Sequence, residues 1–432
     1  MTPTAEVAWM QAEVLSIGTE LLLGEITDTN AQHISAKLKE VGVDVYRRST
    51  VGDNLARVRD CLREALGRAD IVITSGGLGP TSDDVTAEAL GLALGRRLEF
   101  SEEAWEGICR YFEARGRLPS EADRKQALVV QGAVILHNKC GTAPGQAVSW
   151  DGKLVVILPG PPREMVPMLE GQVLPLIRRL FPGLIPLEVR NLKLVGIPES
   201  RVQEVLADLM QNANPSLAPY VGNAEVRLRI AARSASPGEA RRLIGEMESE
   251  VRMRLGRHVY GADDDTLESV CGELMARRGL TLATAESVTG GLLSHRITQA
   301  PGSSRYFRMG IVAYDPAVKA TCLGVPGESA RRNDAVSAAV AESMAKGAMA
   351  LAGADIGLST TGFAGPGGGT PEEPVGTVYV GLAYQGGVRV DRQVYVGSRA
   401  SIKESAAQRA LVLLWEHLSS LSAAKEGEGG FR

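Results

Sequence analysis

The chain's 432 residues are too many for one hydrophobic core and enough for two or three domains. A net charge of -4 excludes a global pull toward nucleic acid, and the arginine pairs at 47–48, 96–97, 241–242, 277–278 and 331–332 lie scattered among acids, as on solvated helix faces. The five cysteines (Cys61, Cys109, Cys140, Cys271 and Cys322) never form a C-x-x-C pair, which argues against a disulfide framework or thiolate metal site and for a reducing cytoplasm.

The opening MTPTAEVAWM has neither a basic nor an apolar leader segment, and no stretch approaches the roughly 18 apolar residues of a membrane span, so neither export nor anchoring is expected. From about Glu13 to Glu170 short apolar runs alternate with amphipathic segments: a strand at 14–17, a helix at 30–41, and strands at 71–73, 133–136 and 154–158. Unalternated strands in βαβα order predict a helix-covered, mostly parallel sheet over residues 1–170.

Between 171 and 262 the pattern changes. Residues 225–230, EVRLRI, alternate charge and apolar side chain, the mark of a sheet with one wet face. Helices are predicted at 200–210 and 237–255, the second introduced by Ser234-Ala235-Ser236-Pro237. A small α+β domain of this size and order resembles a KH-like domain, but it lacks a G-x-x-G backbone clamp, which favours a spacer or dimerisation role over RNA binding. From 263 to 421 α/β alternation resumes: a helix at 267–278, a strand at 280–285, a helix from Thr289, and strands near Ile311 and Val378. The fold class is therefore α/β, two domains with mostly parallel sheets joined by a small α+β domain, and the polar tail 422–432 is expected to be disordered.

Two glycine-rich loops follow buried-strand patterns, one in each large domain, which implies two sites because open α/β sheets bind ligands at the carboxyl ends of their strands. The first, SGGLGPTSDD at 75–84, offers backbone N–H groups of Gly76, Gly77 and Gly79 and then a helix start at Thr81 or Ser82. Asp83 and Asp84 in that first turn have two readings: offsetting the helix dipole, or holding a divalent cation against pyrophosphate oxygens. GTELLLGEITDTN at 18–30 and LPGPPREM at 158–165 would open onto the same sheet edge.

The second loop, TTGFAGPGGGTPEEPVG at 360–376, pairs with TAESVTGG at 284–291. Ser287 would sit where a strand turns into a helix, either as an N-cap or as a nucleophile whose oxyanion the same N–H groups stabilise. His295 and His417 lie on predicted helices without an orienting acid, so Lys319 of GIVAYDPAVK is the better base, a partly buried lysine with a lowered pKa being able to serve in a Ser-Lys pair.

The motifs G-x-E-L-L-x-G-x-I-x-D-T-N, G-G-L-G-P-T-x-D-D and P-G-x-P-x-E-M in the first 170 residues resemble the molybdopterin-binding-like domain of the CinA (competence/damage-inducible) family. T-A-E-S-x-T-G-G, P-G-S-S, V-A-Y-x-x-x-x-K, T-G-x-A-G-P-G-G-G-T-P-x-x-P-V-G-T-V-Y and G-x-R-x-x-I-K resemble its C-terminal domain, with Val288 where cysteine is common. The resemblance implies a cytoplasmic homodimer with two activities. The N-terminal one is ADP-ribose hydrolysis to AMP and ribose 5-phosphate, with a divalent cation (Mg2+, Mn2+ or Co2+, with K+ as a further candidate) on Asp83, Asp84 and Glu20. The C-terminal one, without a cofactor, is deamidation of nicotinamide mononucleotide (NMN). Carried over residue by residue, it makes Ser287 the nucleophile and Lys319 its base, with Tyr314 and Thr361 supporting. NMN would be held by Thr289, Gly290 and Gly291, by Gly365, Gly367, Gly368 and Gly369, and by Arg399. The rival reading is a non-catalytic, nucleotide-sensing protein of competence or DNA-damage response.

Overall fold

The computed structural model describes residues 10–222, 225–234, 236–331 and 335–428. The N-terminal stretch before Met10, Ala235 of the helix-starting segment, Arg332 of the last arginine pair and residues 429–432 lie outside them. These residues form two compact units: everything up to Glu188 together with Arg233–Ala240, and Val189–Ala232 with everything from Arg241 onward.

In the first unit the strands lie in the order Val43–Val51, Met10–Ile17, Ile71–Ser75, Lys153–Leu158, Gly145–Trp150, Val134–Leu136. The first four run parallel, and the last two join them through antiparallel pairings. Successive residues feed opposite cores. Val14, Ile71, Ile73, Leu154 and Val156 pack beneath one helical layer, Leu15, Val72, Val155 and Ile157 beneath the other, which is why these strands read as continuous apolar runs. Helix Thr29–Glu40 is capped by Asp28, whose carboxylate accepts the Ala31 N–H. Strand Val43–Val51 escaped the apolar-run reading because Asp44, Arg47 and Arg48 interrupt it.

The second unit carries two sheets. The smaller has the order Ser216–Gly222, Glu225–Ala232, Glu188–Leu194, Val259–Ala262, with helix Glu199–Val205 and, from Arg241 onward, helix Pro237–Leu255. The first of these helices ends five residues earlier than predicted; beyond it Asp208 is held by a two-pronged ion pair with Arg254. Val195 and Tyr260 of this α+β segment are buried in the same core as Trp415, so the segment packs with the C-terminal domain rather than standing alone as a linker.

The larger sheet has the order Phe307–Val312, Leu282–Glu286, Ile356–Gly362, Thr377–Tyr384, Gly387–Val394, the first three parallel. Helix Ala338–Ala352 lies close on one face, where Val340, Met344 and Ala348 meet Ala283 and Ala285. A Cβ at Gly357 would strike the Ala345 carbonyl, so that approach requires glycine. The other face buries Leu282, Leu358 and Val380 against Ile402, Ala406, Ala410 and Leu411 of helix Arg399–Glu428. That helix runs through 422–428, where the sequence predicts disorder; Ala423, Ala424, Lys425 and Glu426 are good helix formers and extend an existing helix without a new nucleus. Among the described residues no helix is long and apolar enough to cross a membrane.

Candidate functional site

At the carboxyl edge of the larger sheet the strand ladder reaches one residue past Glu286. The Ser287 N–H donates to the Thr360 carbonyl at 2.9 Å, while the Glu286 carbonyl accepts from Ala313 at 2.8 Å. Ser287, 8% exposed, is thereby fixed between the two loops that carry the other motifs, Ala313–Lys319 on one side and Thr360–Gly369 on the other. Thr289 and Thr360, both fully buried, share a hydroxyl hydrogen bond at 2.6 Å. Thr361 is also buried, and its hydroxyl donates to the Ala335 carbonyl.

The helix after Ser287 begins later than predicted. Gly290 and Gly291 take positive φ, Gly291 is the N-cap, and the helix is Leu292–Gln299 rather than one starting at Thr289. Its amides do not face the serine. The fully buried Glu286 carboxylate accepts the N–H groups of Gly291 (2.9 Å), Leu293 (3.0 Å) and Ser294 (2.8 Å), together with the Ser294 hydroxyl. An anion from within the chain thus fills the helix terminus that the sequence assigns to the oxyanion. Sequence reasoning missed Glu286; the available signal was an acid closing an otherwise apolar strand five residues ahead of Gly291.

Lys319 lies on helix Pro316–Leu323, begun by the Asp315 cap, and is only 4% exposed. Burial pushes its amine below the ordinary lysine range, against a smaller upward pull from Asp315. Tyr314 is exposed, and its hydroxyl accepts from Arg399 at 2.8 Å while another Arg399 nitrogen donates to the Gly365 carbonyl at 2.7 Å. One guanidinium therefore ties the Lys319 loop to the glycine-rich loop. That loop is folded upon itself: a Cβ at Gly369 would meet the Val375 nitrogen at 2.5 Å, and Glu373 accepts from Tyr379 and Arg392. Gly367 has open space around it, and Gly368 takes positive φ beside Phe363.

An open cavity of about 720 Å³ adjoins this edge, lined by Thr289, Gly290, Gly291, His295, Arg399 and Lys403. It gathers four of the predicted substrate-binding residues, though neither Ser287 nor Lys319 lines it. Lys403, whose Nζ lies 3.5 Å from where a Gly290 Cβ would stand, and His295 were not assigned; both follow at helical spacing from residues that were.

The N-terminal edge is built differently from the expectation. The Gly76 N–H is not free but donates to the Leu158 carbonyl, and Gly76 accepts from the Thr86 hydroxyl. Positive φ at Gly76 and Gly77 turns the chain there. The following helix is Thr86–Leu94, not one starting at Thr81, because Asp83 and Asp84 fold back to accept from Thr81 and Asp84 packs against Gly79. The Thr81 hydroxyl also holds the exposed Asp83 carboxyl below its usual range. Glu20 instead lines a separate cavity of about 340 Å³ with Asp28, Asn30, Ser75 and Gly160. Among the described residues no group of three or more His, Cys, Asp or Glu side chains stands where it could share a metal ion; Asp83 and Asp84 are bonded to Thr81, and Glu20 lines the separate cavity. The residues present do not fit an all-protein divalent-cation site.

The fold defines a class: a chain carrying two α/β domains with a KH-like segment between them in sequence. The comparisons make this specific. Residues 13–179 match the probable molybdopterin binding domain, 189–261 the damage-inducible protein CinA KH domain, and 264–418 the CinA C-terminal domain. A putative competence-damage inducible protein of Moorella thermoacetica is 48% identical over 412 residues, covering 95% of this chain and 99% of the relative. One from Symbiobacterium thermophilum is 46% identical over 421 residues, covering 95% and 99%. The crystal structure of the protein CinA with unknown function from Thermoplasma acidophilum is 35% identical over 38% of this chain and 96% of that one, with a TM-score of 0.36. The chain belongs to the CinA competence/damage-inducible family.

Proposed function

We propose that the C-terminal domain deamidates NMN, with Ser287 as nucleophile and Lys319 as its base. The observation that carries this reading is a buried lysine whose amine is pushed toward its neutral form, on the helix Pro316–Leu323 that follows the strand beside that of a buried, backbone-fixed serine. In the reaction, Ser287 Oγ attacks the amide carbon while its proton passes to Lys319 Nζ. Collapse of the tetrahedral intermediate breaks the C–N bond, and that proton leaves with ammonia; water then hydrolyses the acyl-serine ester to nicotinate mononucleotide and free serine. Arg399 and Lys403, facing the cavity beside Gly290 and Gly291, supply positive charge for the 5′-phosphate. The Glu286-bound amides are left out of oxyanion stabilisation.

Ammonia release from NMN by the purified full-length protein tests this. A folded protein that binds NMN without releasing ammonia would favour the nucleotide-sensing alternative, in which the pockets serve competence or damage response.

For the N-terminal domain the proposal is ADP-ribose cleavage to AMP and ribose 5-phosphate, supported by the cavity where the loops 18–30, Ser75 and Gly160–Pro162 converge. AMP formation from ADP-ribose, with and without added divalent cation, tests it.

A further inference from the structure

We propose that the N-terminal domain carries a second ligand site, a cleft that binds a phosphomonoester of mononucleotide size. The cleft lies between helix Glu102–Glu113 and the loop 137–144, encloses about 450 Å³, and shares no lining residue with the sheet-edge cavity that holds Glu20. Its volume falls within the range of small-molecule sites.

Charge decides the ligand. Arg110, Arg115 and Lys139 line the cleft; the acid facing them, Glu103, already pairs with His137 at 3.1 Å. Arg115 stacks on the Tyr111 ring with its guanidinium carbon 3.6 Å from the centroid, a placement that orients its remaining donors. Among the described residues Arg110 is tied by an exposed contact to Glu106 at 3.6 Å, a weak restraint, and Lys139 makes no ion pair. Two cationic groups in excess match a phosphate dianion, while Ile108 and Ile135 offer an apolar wall for the sugar and base.

The loop is built to hold a shape. Asn138 donates to the Ala143 carbonyl and to Glu164, and its Oδ1 accepts the N–H groups of Cys140 and Gly141. Glu164 is buried directly beneath Gly141, where a Cβ would collide with its carboxylate. Gln172 exchanges two hydrogen bonds with the His137 backbone. A surface loop pinned by three side chains presents Lys139 at low entropic cost on binding.

Isothermal titration of the full-length protein with AMP tests this. AMP should bind, and R110E/K139E should weaken binding at least about tenfold, as loss of charge-assisted bonds to phosphate does, while leaving the melting temperature and ammonia release from NMN unchanged. Inorganic phosphate should compete at least about tenfold less well than AMP. K139Q alone, at an exposed position, should show a smaller loss and guards against misfolding of the double variant. Because AMP is also the product proposed for the sheet-edge cavity, the number of sites is the readout: absence of AMP binding, an unchanged number of AMP sites in R110E/K139E, or phosphate competing as well as AMP at the site that variant removes would overturn the proposal.

Discussion

Two strand-to-helix turns, 75–84 in the N-terminal domain and 284–291 in the C-terminal domain, leave parallel strands in the same way and end in opposite arrangements. In the N-terminal domain the acids stay on the surface, Asp83 and Asp84 satisfying Thr81, and the helix begins only at Thr86. In the C-terminal domain a single acid goes inside, and the Glu286 carboxylate takes three amides and a hydroxyl at the head of helix Leu292–Gln299. A buried carboxylate so paired rigidifies its surroundings, whereas exposed acids bonded to a neighbouring threonine constrain only a turn. The C-terminal edge thus has the locked backbone that a nucleophile needs, and the N-terminal edge keeps an adaptable surface.

The comparison breaks most sharply at Ser287. Ser287→Ala should lower ammonia release from NMN by at least about 10⁴-fold with NMN affinity largely kept, as loss of a nucleophile does; near-normal turnover would remove the reading of a rigid catalytic edge. Lys319→Met should cost at least about a hundredfold, the usual worth of a general base. It should also remove a pH dependence. Because burial lowers the Lys319 pKa, turnover should rise with pH as the amine deprotonates, reaching its plateau below the ordinary lysine value. Stability moves the same way. Between the folded-state pKa and the higher unfolded one the unfolded chain binds the extra proton, so the cost of burying the amine, full below the folded pKa, shrinks as pH rises and is gone above the unfolded pKa. Thermal melts across alkaline pH should therefore show wild type gaining stability relative to Lys319→Met over that window.

Glu286→Ala sharpens the comparison in structural terms. It strands three helix-start amides and should destabilise the protein by about 3 kcal/mol or more, seen in the denaturation midpoint. Asp84→Asn, on the exposed counterpart, should change stability by under about 0.5 kcal/mol and leave ammonia release untouched, since distant sites act independently. EDTA should spare NMN deamidation altogether; its loss on chelation would show that the serine-lysine chemistry is wrong for this edge.

What the sequence by itself determined is what local periodicity and covalent spacing encode. Apolar runs such as 71–73 and 154–158 announced doubly covered strands, helix Thr29–Glu40 was predicted within one residue at each end, and the loops of both sheet edges were visible as motifs. Tertiary structure alone decided the rest. The strand-closing position of Glu286 hints at burial but does not decide it; whether the acid enters the core depends on a helix terminus 5 to 8 residues on turning back over the strand. The Lys319 amine is held below its ordinary range only because chain packing around helix Pro316–Leu323 excludes water. Arg399 joins Tyr314 and Gly365 across 85 and 34 residues of sequence. Burial and long-range hydrogen bonding are properties of the folded chain, and they set protonation and geometry at this edge.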